Sequence, residues 1–105
     1  MEERINRFPY LEISHEKREV RYMGYILPLT QGEHAVLCAV LAAESFVCKH
    51  DIKDIIDNDL SPDLKVSLES IPVHVFSINR KAMNAHGRKI VGFKRNNGYF
   101  INENM

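Results

Sequence analysis

The residues best placed to do chemistry lie in the last third of the chain. Between Ser70 and Asn84, the side chains of Ser70, Val73, His74, Phe76, Ser77, Arg80, Lys81 and Asn84 fall outside an apolar stripe of Ile71, Val75, Ile78 and Ala82. That stripe recurs at i, i+4, i+7 and i+11, the spacing of a helix with one buried face. Beyond it, Lys94, Arg95, Asn96 and Asn97 sit between two apolar runs, Ile90–Phe93 and Tyr99–Ile101, as the tip of a hairpin. Hydroxyl, amide, imidazole, ammonium and guanidinium groups in this pattern suit recognition: hydrogen bonds to base edges and neutralisation of phosphates. A helix able to enter a DNA groove stands beside a basic hairpin able to touch the next one.

No other pattern points to chemistry. There is no glycine-rich phosphate loop, no nucleophile–base motif and no spacing that pairs two buried carboxylates, so an enzyme is not expected. Cys48 and His50, two apart on a helix, point to different faces. CxxC, HxxxH and HExxH patterns are missing, and a structural zinc ion needs four converging ligands, so neither a metal nor another cofactor is expected. Asp51, Asp54 and Asp57 read as a solvated helix face.

The elements that must position these residues follow from patterning. The chain has 105 residues, 45% of them hydrophobic and 27% charged, which suits one modest core. Residues 1–7 are expected to be flexible, 8–102 to form the domain, and 103–105 to be a tail. From Tyr10 to Thr30 the pairs Leu11/Ile13, Val20/Tyr22 and Tyr25/Leu27 alternate, with breaks at His15–Arg18 and Met23-Gly24, which predicts an antiparallel meander. Thr30-Gln31-Gly32-Glu33 is a capping box, and Val36, Leu37, Val40 and Leu41 follow at helical spacing, predicting a first helix over 31–44. Ile52, Ile55 and Ile56 give a second helix over 49–57. Asn58 to Ser67, with Asp59, Ser61, Pro62 and Asp63, reads as a loop. The third helix starts near Ser70 with Pro72 in its first turn and ends at Ala85-His86-Gly87, glycine suiting a left-handed cap. Tyr99 reads as core, whereas Phe76 either packs against the hairpin or contacts bases.

Charge divides along the chain. Fourteen basic and fourteen acidic residues cancel, which weighs against nucleic-acid binding. Yet Asn79 to Tyr99 holds Arg80, Lys81, Arg88, Lys89, Lys94 and Arg95 with no acid, while Asp51 to Glu69 is strongly acidic. One basic end and one acidic flank result. Cys38 and Cys48 read as reduced, buried thiols, and the charged start resembles no signal peptide, so a cytoplasmic location is expected.

In this order of elements the sequence resembles the winged helix-turn-helix effector domain of bacterial OmpR/PhoB-type response regulators, shared by ToxR/CadC-like membrane activators. The likeness covers Phe8 to Ile101. It rests on Leu29-Thr30-x-x-Glu33, Val47-Cys48-Lys49-x-x-Ile52, Val73-His74-Val75 and, most specifically, Arg95-x-x-Gly98-Tyr99. It implies an α+β fold: an N-terminal antiparallel sheet, three helices and a C-terminal hairpin wing.

The resemblance further implies a sequence-specific transcription regulator that binds double-stranded DNA as a homodimer or tandem pair. Val73 would meet thymine methyls; Phe76, Ser77 and Arg80 would meet base edges or backbone. Asn84 shares their face. Ser70, His74 and Lys81 would meet phosphates, and Arg95, with Lys94 and Asn96 beside it, would reach the minor groove. The loop Asn58 to Ser67 matches the segment through which such activators touch RNA polymerase.

Departures from the family pattern are also legible. Ser77 and Asn79 stand where arginines are usual, Pro72 where an acid is common, Asp57 where a Trp often closes the second helix, and Asn96 in place of the first wing glycine. They motivate a second reading, a winged-helix protein-interaction module that has lost DNA binding. No receiver domain is recognisable in these residues. They suit either the leading domain of a ToxR-like activator or the effector part of a response regulator.

Overall fold

Alternating apolar residues build the first layer. The computed structural model describes residues 11–14, 19–43, 45–60 and 66–102. Strands β1 (Leu11–Ser14), β2 (Glu19–Tyr22) and β3 (Tyr25–Leu27) form an antiparallel sheet in the order β1-β2-β3. Leu11 faces Tyr22 and Val20 faces Leu27, so these four buried side chains line one face. The β2–β3 turn places Met23 at φ 54° and Gly24 at φ 87°. Two successive positive values give the two-residue hairpin whose twist matches its strands.

The capping box forms as read. Thr30 Oγ1 accepts from the Glu33 backbone N–H at 3.2 Å, and the Thr30 N–H donates to Glu33 Oε1 at 3.0 Å. Helix α1 (Gln31–Ala42) follows, buried continuously from Glu33 to Val40. It is the central rod of the core and packs against α3 (Ser70–His86), α2 (Lys49–Ile55) and β5 (Gly98–Ile101). Helix α3 buries its predicted stripe of Ile71, Val75, Ile78 and Ala82. It ends at Gly87, whose φ of 83° lets its N–H donate to the Met83 carbonyl at 2.8 Å.

The wing is the hairpin of β4 (Val91–Lys94) and β5, with Phe93 opposite Tyr99 and Val91 opposite Ile101. Val47 joins it from the link between α1 and α2, exchanging backbone hydrogen bonds of 2.9 and 2.8 Å with Tyr99. Tyr22 ties the first sheet to the wing base, its hydroxyl donating to the Arg88 carbonyl at 3.1 Å.

Two expectations need correction. Asn58 to Leu60 is not loop: the chain continues past α2 as a π-helical turn, Ile56–Leu60, with Ile56 wholly buried. Core burial of Ile56 outweighs the local turn preference of Asn58 and Asp59. Nor are both cysteines buried. Cys38 is, and burial pushes its thiol up to about 12, whereas Cys48 is exposed as the residue before α2. The expected flexible segment 1–7, the domain start at Phe8, the turn His15–Arg18, residues 61–65 of the acidic segment and the tail 103–105 lie outside the described residues.

Candidate nucleic-acid interface

Helix α3 presents one outward row. Val73 and Phe76 are 64% and 67% exposed, and Arg80 and Asn84 continue the row, also exposed. These positions differ by three, four and seven residues, so they share one face. Phe76 therefore projects into solvent and does not pack on the wing.

Ser77 and Lys81 lie on the border of this row and are half-buried. Their polar atoms turn inward. Ser77 Oγ donates to Glu33 Oε2 at 2.6 Å, and Lys81 Nζ donates to Glu33 Oε1 at 2.7 Å and to the Pro28 carbonyl at 2.8 Å. The physical reason is the capping carboxylate of α1, only 7% exposed, which requires a countercharge. Burial pushes the Glu33 carboxyl up, but hydrogen bonds from Lys81, Ser77 and the Thr30 N–H, with the Lys81 charge, outweigh it. The carboxyl settles below its ordinary value.

The start of α3 carries Ser70 and His74. Ser70 Oγ donates to the Ser67 carbonyl at 2.8 Å, and its N–H donates to Ser67 Oγ at 3.2 Å, closing the first turn. His74 is half-buried over the start of α1: a Cβ added at Gly32 would lie 2.9 Å from its ring. Lys53, Ser67, Ser70 and His74 border a shallow, open depression there. Lys53 itself bonds Asp57 at 3.0 Å and the Val66 carbonyl at 3.2 Å.

At the wing tip Lys94, Arg95, Asn96 and Asn97 are all exposed. Asn96 takes φ 69°, a left-handed conformation asparagine tolerates, and the Asn97 N–H closes the turn on the Lys94 carbonyl at 3.0 Å. Lys94 Nζ stands 6.0 Å from the centre of the Phe46 ring, and Phe46 meets Phe100 edge-on at 5.3 Å.

Sequence reasoning missed two functions here. Asn79 is more than a lost arginine. Its Oδ1 accepts from the Ile90 and Val91 N–H groups at 3.0 and 2.9 Å, and its Nδ2 donates to the Val91 carbonyl at 2.8 Å. The amide thus bolts the wing to α3. Glu33, read only as a cap, also anchors α3 to α1.

Among the described residues a three-stranded antiparallel sheet, three α-helices and a closing two-stranded wing, in this order, form a winged-helix fold, the fold that the resemblance to OmpR/PhoB-type effector domains implies. No family model matches the sequence, and no curated protein does. Solved structures do match. The DNA-binding domain of the response regulator AdeR, in complex with an intercistronic region, superposes with a TM-score of 0.68 at 14% identity, covering 90% of this chain and 95% of that one. The DNA-binding domain of CpxR from E. coli gives 0.60 at 16% identity, with 90% and 91% covered. A structure described as a novel family of redox sensors in the streptococci, evolved from two-component response regulators, gives 0.73 at 14% identity over 98% of this chain. This chain spans only 44% of that protein's length. At identities this low the likeness shows the fold alone. Among the described residues no helix is long and apolar enough to cross a membrane.

Proposed function

We propose that this chain is a sequence-specific DNA-binding transcription regulator, with α3 in the major groove and the wing in the minor groove. The observation that carries the reading is the exposed row Val73, Phe76, Arg80 and Asn84 beside the exposed basic tip Lys94-Arg95-Asn96. The DNA-bound AdeR domain, alike in fold, supports it. Arg80, Lys94 and Arg95 supply phosphate or minor-groove contacts, and Ser70 and His74 suit phosphates at the start of α3. Ser77 and Lys81, committed to Glu33, hold the helix in place and leave the reading to their neighbours. One such module buries only about 600–1,000 Å² on DNA, so the chain works as a homodimer or tandem pair. The acidic segment Asn58 to Ser67 faces RNA polymerase, and the setting is the bacterial cytoplasm.

Backbone amide NMR during titration with a mixed-sequence duplex at low salt tests this reading. Shifts at Val73, Phe76, Arg80, Asn84 and Lys94–Asn97, weakening as salt rises, are the expected result. A spectrum unmoved by DNA overturns it in favour of a protein-interaction module.

A further inference from the structure

Three exposed apolar side chains flank the seam between α3 and the wing. The Asn79 amide holds Val91, the first residue of β4, against one flank of α3. Phe76 and Met83 stand three residues before and four after Asn79, so they share that flank. Phe93, two residues beyond Val91, leaves the same side of β4 and lies against Tyr99, ring centres 4.9 Å apart. Yet Phe76, Phe93 and Met83 are 67%, 62% and 45% exposed. Around them the exposed charges have one sign. Arg80 stands on α3, Arg88 and Lys89 at the base of the wing, and Lys94 and Arg95 at its tip, with no acid from Asn79 to Tyr99.

Duplex DNA does not account for an apolar seam. With α3 in one groove and the wing in the next, the strand between them turns its phosphates toward the seam, and burying apolar side chains against charged phosphates gains little. A second copy of this chain fits no better. Its acidic helix α2, with Asp51 and Asp54 outward, exposes no large apolar side chain to fill the seam. A ligand that covers Phe76, Met83 and Phe93 and also answers the basic rim must carry apolar anchors among carboxylates. We infer that the seam docks an acidic peptide segment of a partner protein, its apolar side chains set between α3 and β4 and its carboxylates on the basic rim. Docking of such a segment does not require that the chain also bind DNA.

A phage-displayed library of random peptides, panned on the immobilised 105-residue chain, tests this. Enriched peptides, synthesised and titrated, should join aromatic or large aliphatic residues to Asp or Glu. They should shift the NMR signals of Phe76, Met83 and Phe93 and bind more weakly as salt rises. Met83→Ala and Phe93→Ala should each lower peptide affinity about tenfold. Both side chains are exposed, so the variants keep the core, and neither lies in the row Val73, Phe76, Arg80 and Asn84, so duplex affinity should stay as it was. Enrichment of peptides without acids, shifts confined to other surfaces, or a library that yields no binder overturns the inference. Duplex affinity that falls in both variants while peptide affinity holds overturns it too and assigns the seam to DNA. A duplex that fails to bind the wild-type chain overturns only the DNA reading.

Discussion

Ser77 Oγ lies 2.6 Å from Oε2 of Glu33, a residue 44 positions earlier in the chain. The contact locks the middle of α3 onto the first turn of α1. With Lys81 and the Thr30 N–H on the other oxygen, one buried carboxylate holds a cap, a hydroxyl and an ammonium group together. The orientation of the exposed row Val73, Phe76, Arg80 and Asn84 is therefore set from inside the protein.

Glu33 makes this lock pH-dependent. Its folded-state carboxyl sits below the ordinary value of 4.5, so its contribution is fully present above that value and is lost as pH falls through the folded one. Glu33→Gln keeps a cap acceptor but strands the Lys81 charge. It should cost about 1.5–3 kcal/mol at neutral pH, the scale of hydrogen bonds to charged groups. Urea unfolding of both proteins against pH checks this: the gap should close as pH drops below about 4.5. A gap that persists unchanged in acid would mean the Glu33 charge contributes nothing.

Asn79 is the hinge pin of the wing. Asn79→Ala removes three hydrogen bonds and leaves the N–H groups of buried Ile90 and Val91 without that partner. The expected loss is about 2–3 kcal/mol, since an orphaned buried polar group costs about 1–3 kcal/mol. Hydrogen exchange should accelerate at Ile90 and Val91 first. Unchanged protection there would refute the pin.

The contrast between Glu33 and Asn79 shows what the sequence carries and what it conceals. Thr30 with Glu33, the stripe from Ile71 to Ala82 and the Gly87 cap are local patterns, read from neighbours within a few turns. The same holds for the outward row, because helical spacing alone places Val73, Phe76, Arg80 and Asn84 on one side. The partners of Glu33 lie 44 and 48 positions away and exist only once α1 and α3 cross. Asn79 looked like an arginine lost from a DNA contact because its bond to β4 depends on where the wing folds back. Ser77 and Lys81 turn toward Glu33 for the same reason: a border position turns inward when a buried charge lies opposite.

Gly98 separates space from conformation. It takes φ 114°, and a Cβ there would lie 2.5 Å from the Val47 carbonyl oxygen, an immovable backbone atom. Gly24 also has positive φ, 87°, but open space around its Cβ position. Gly24→Ala should therefore cost only the conformational penalty, about 1–2 kcal/mol. Gly98→Ala adds a clash that parts Val47 from Tyr99, and about 3 kcal/mol or more is expected. Thermal melts of the two variants decide it, and equal losses would show that the Val47 contact yields freely.

Arg95 distinguishes DNA reading from protein docking. It is exposed at the wing tip, in a turn closed by backbone from Lys94 to Asn97, so Arg95→Ala should leave the melting temperature unchanged. On DNA the guanidinium neutralises one phosphate or enters the minor groove. Its loss should lower affinity at every salt concentration and reduce the slope of log K against log salt by about one. Phe76→Ala, in contrast, should lower affinity for chosen sites and keep the slope, because it removes no charge. Binding isotherms at several salt concentrations separate the two. If Arg95→Ala binds with the wild-type slope, Arg95 makes no phosphate or minor-groove contact and the proposed anchor of the wing is wrong.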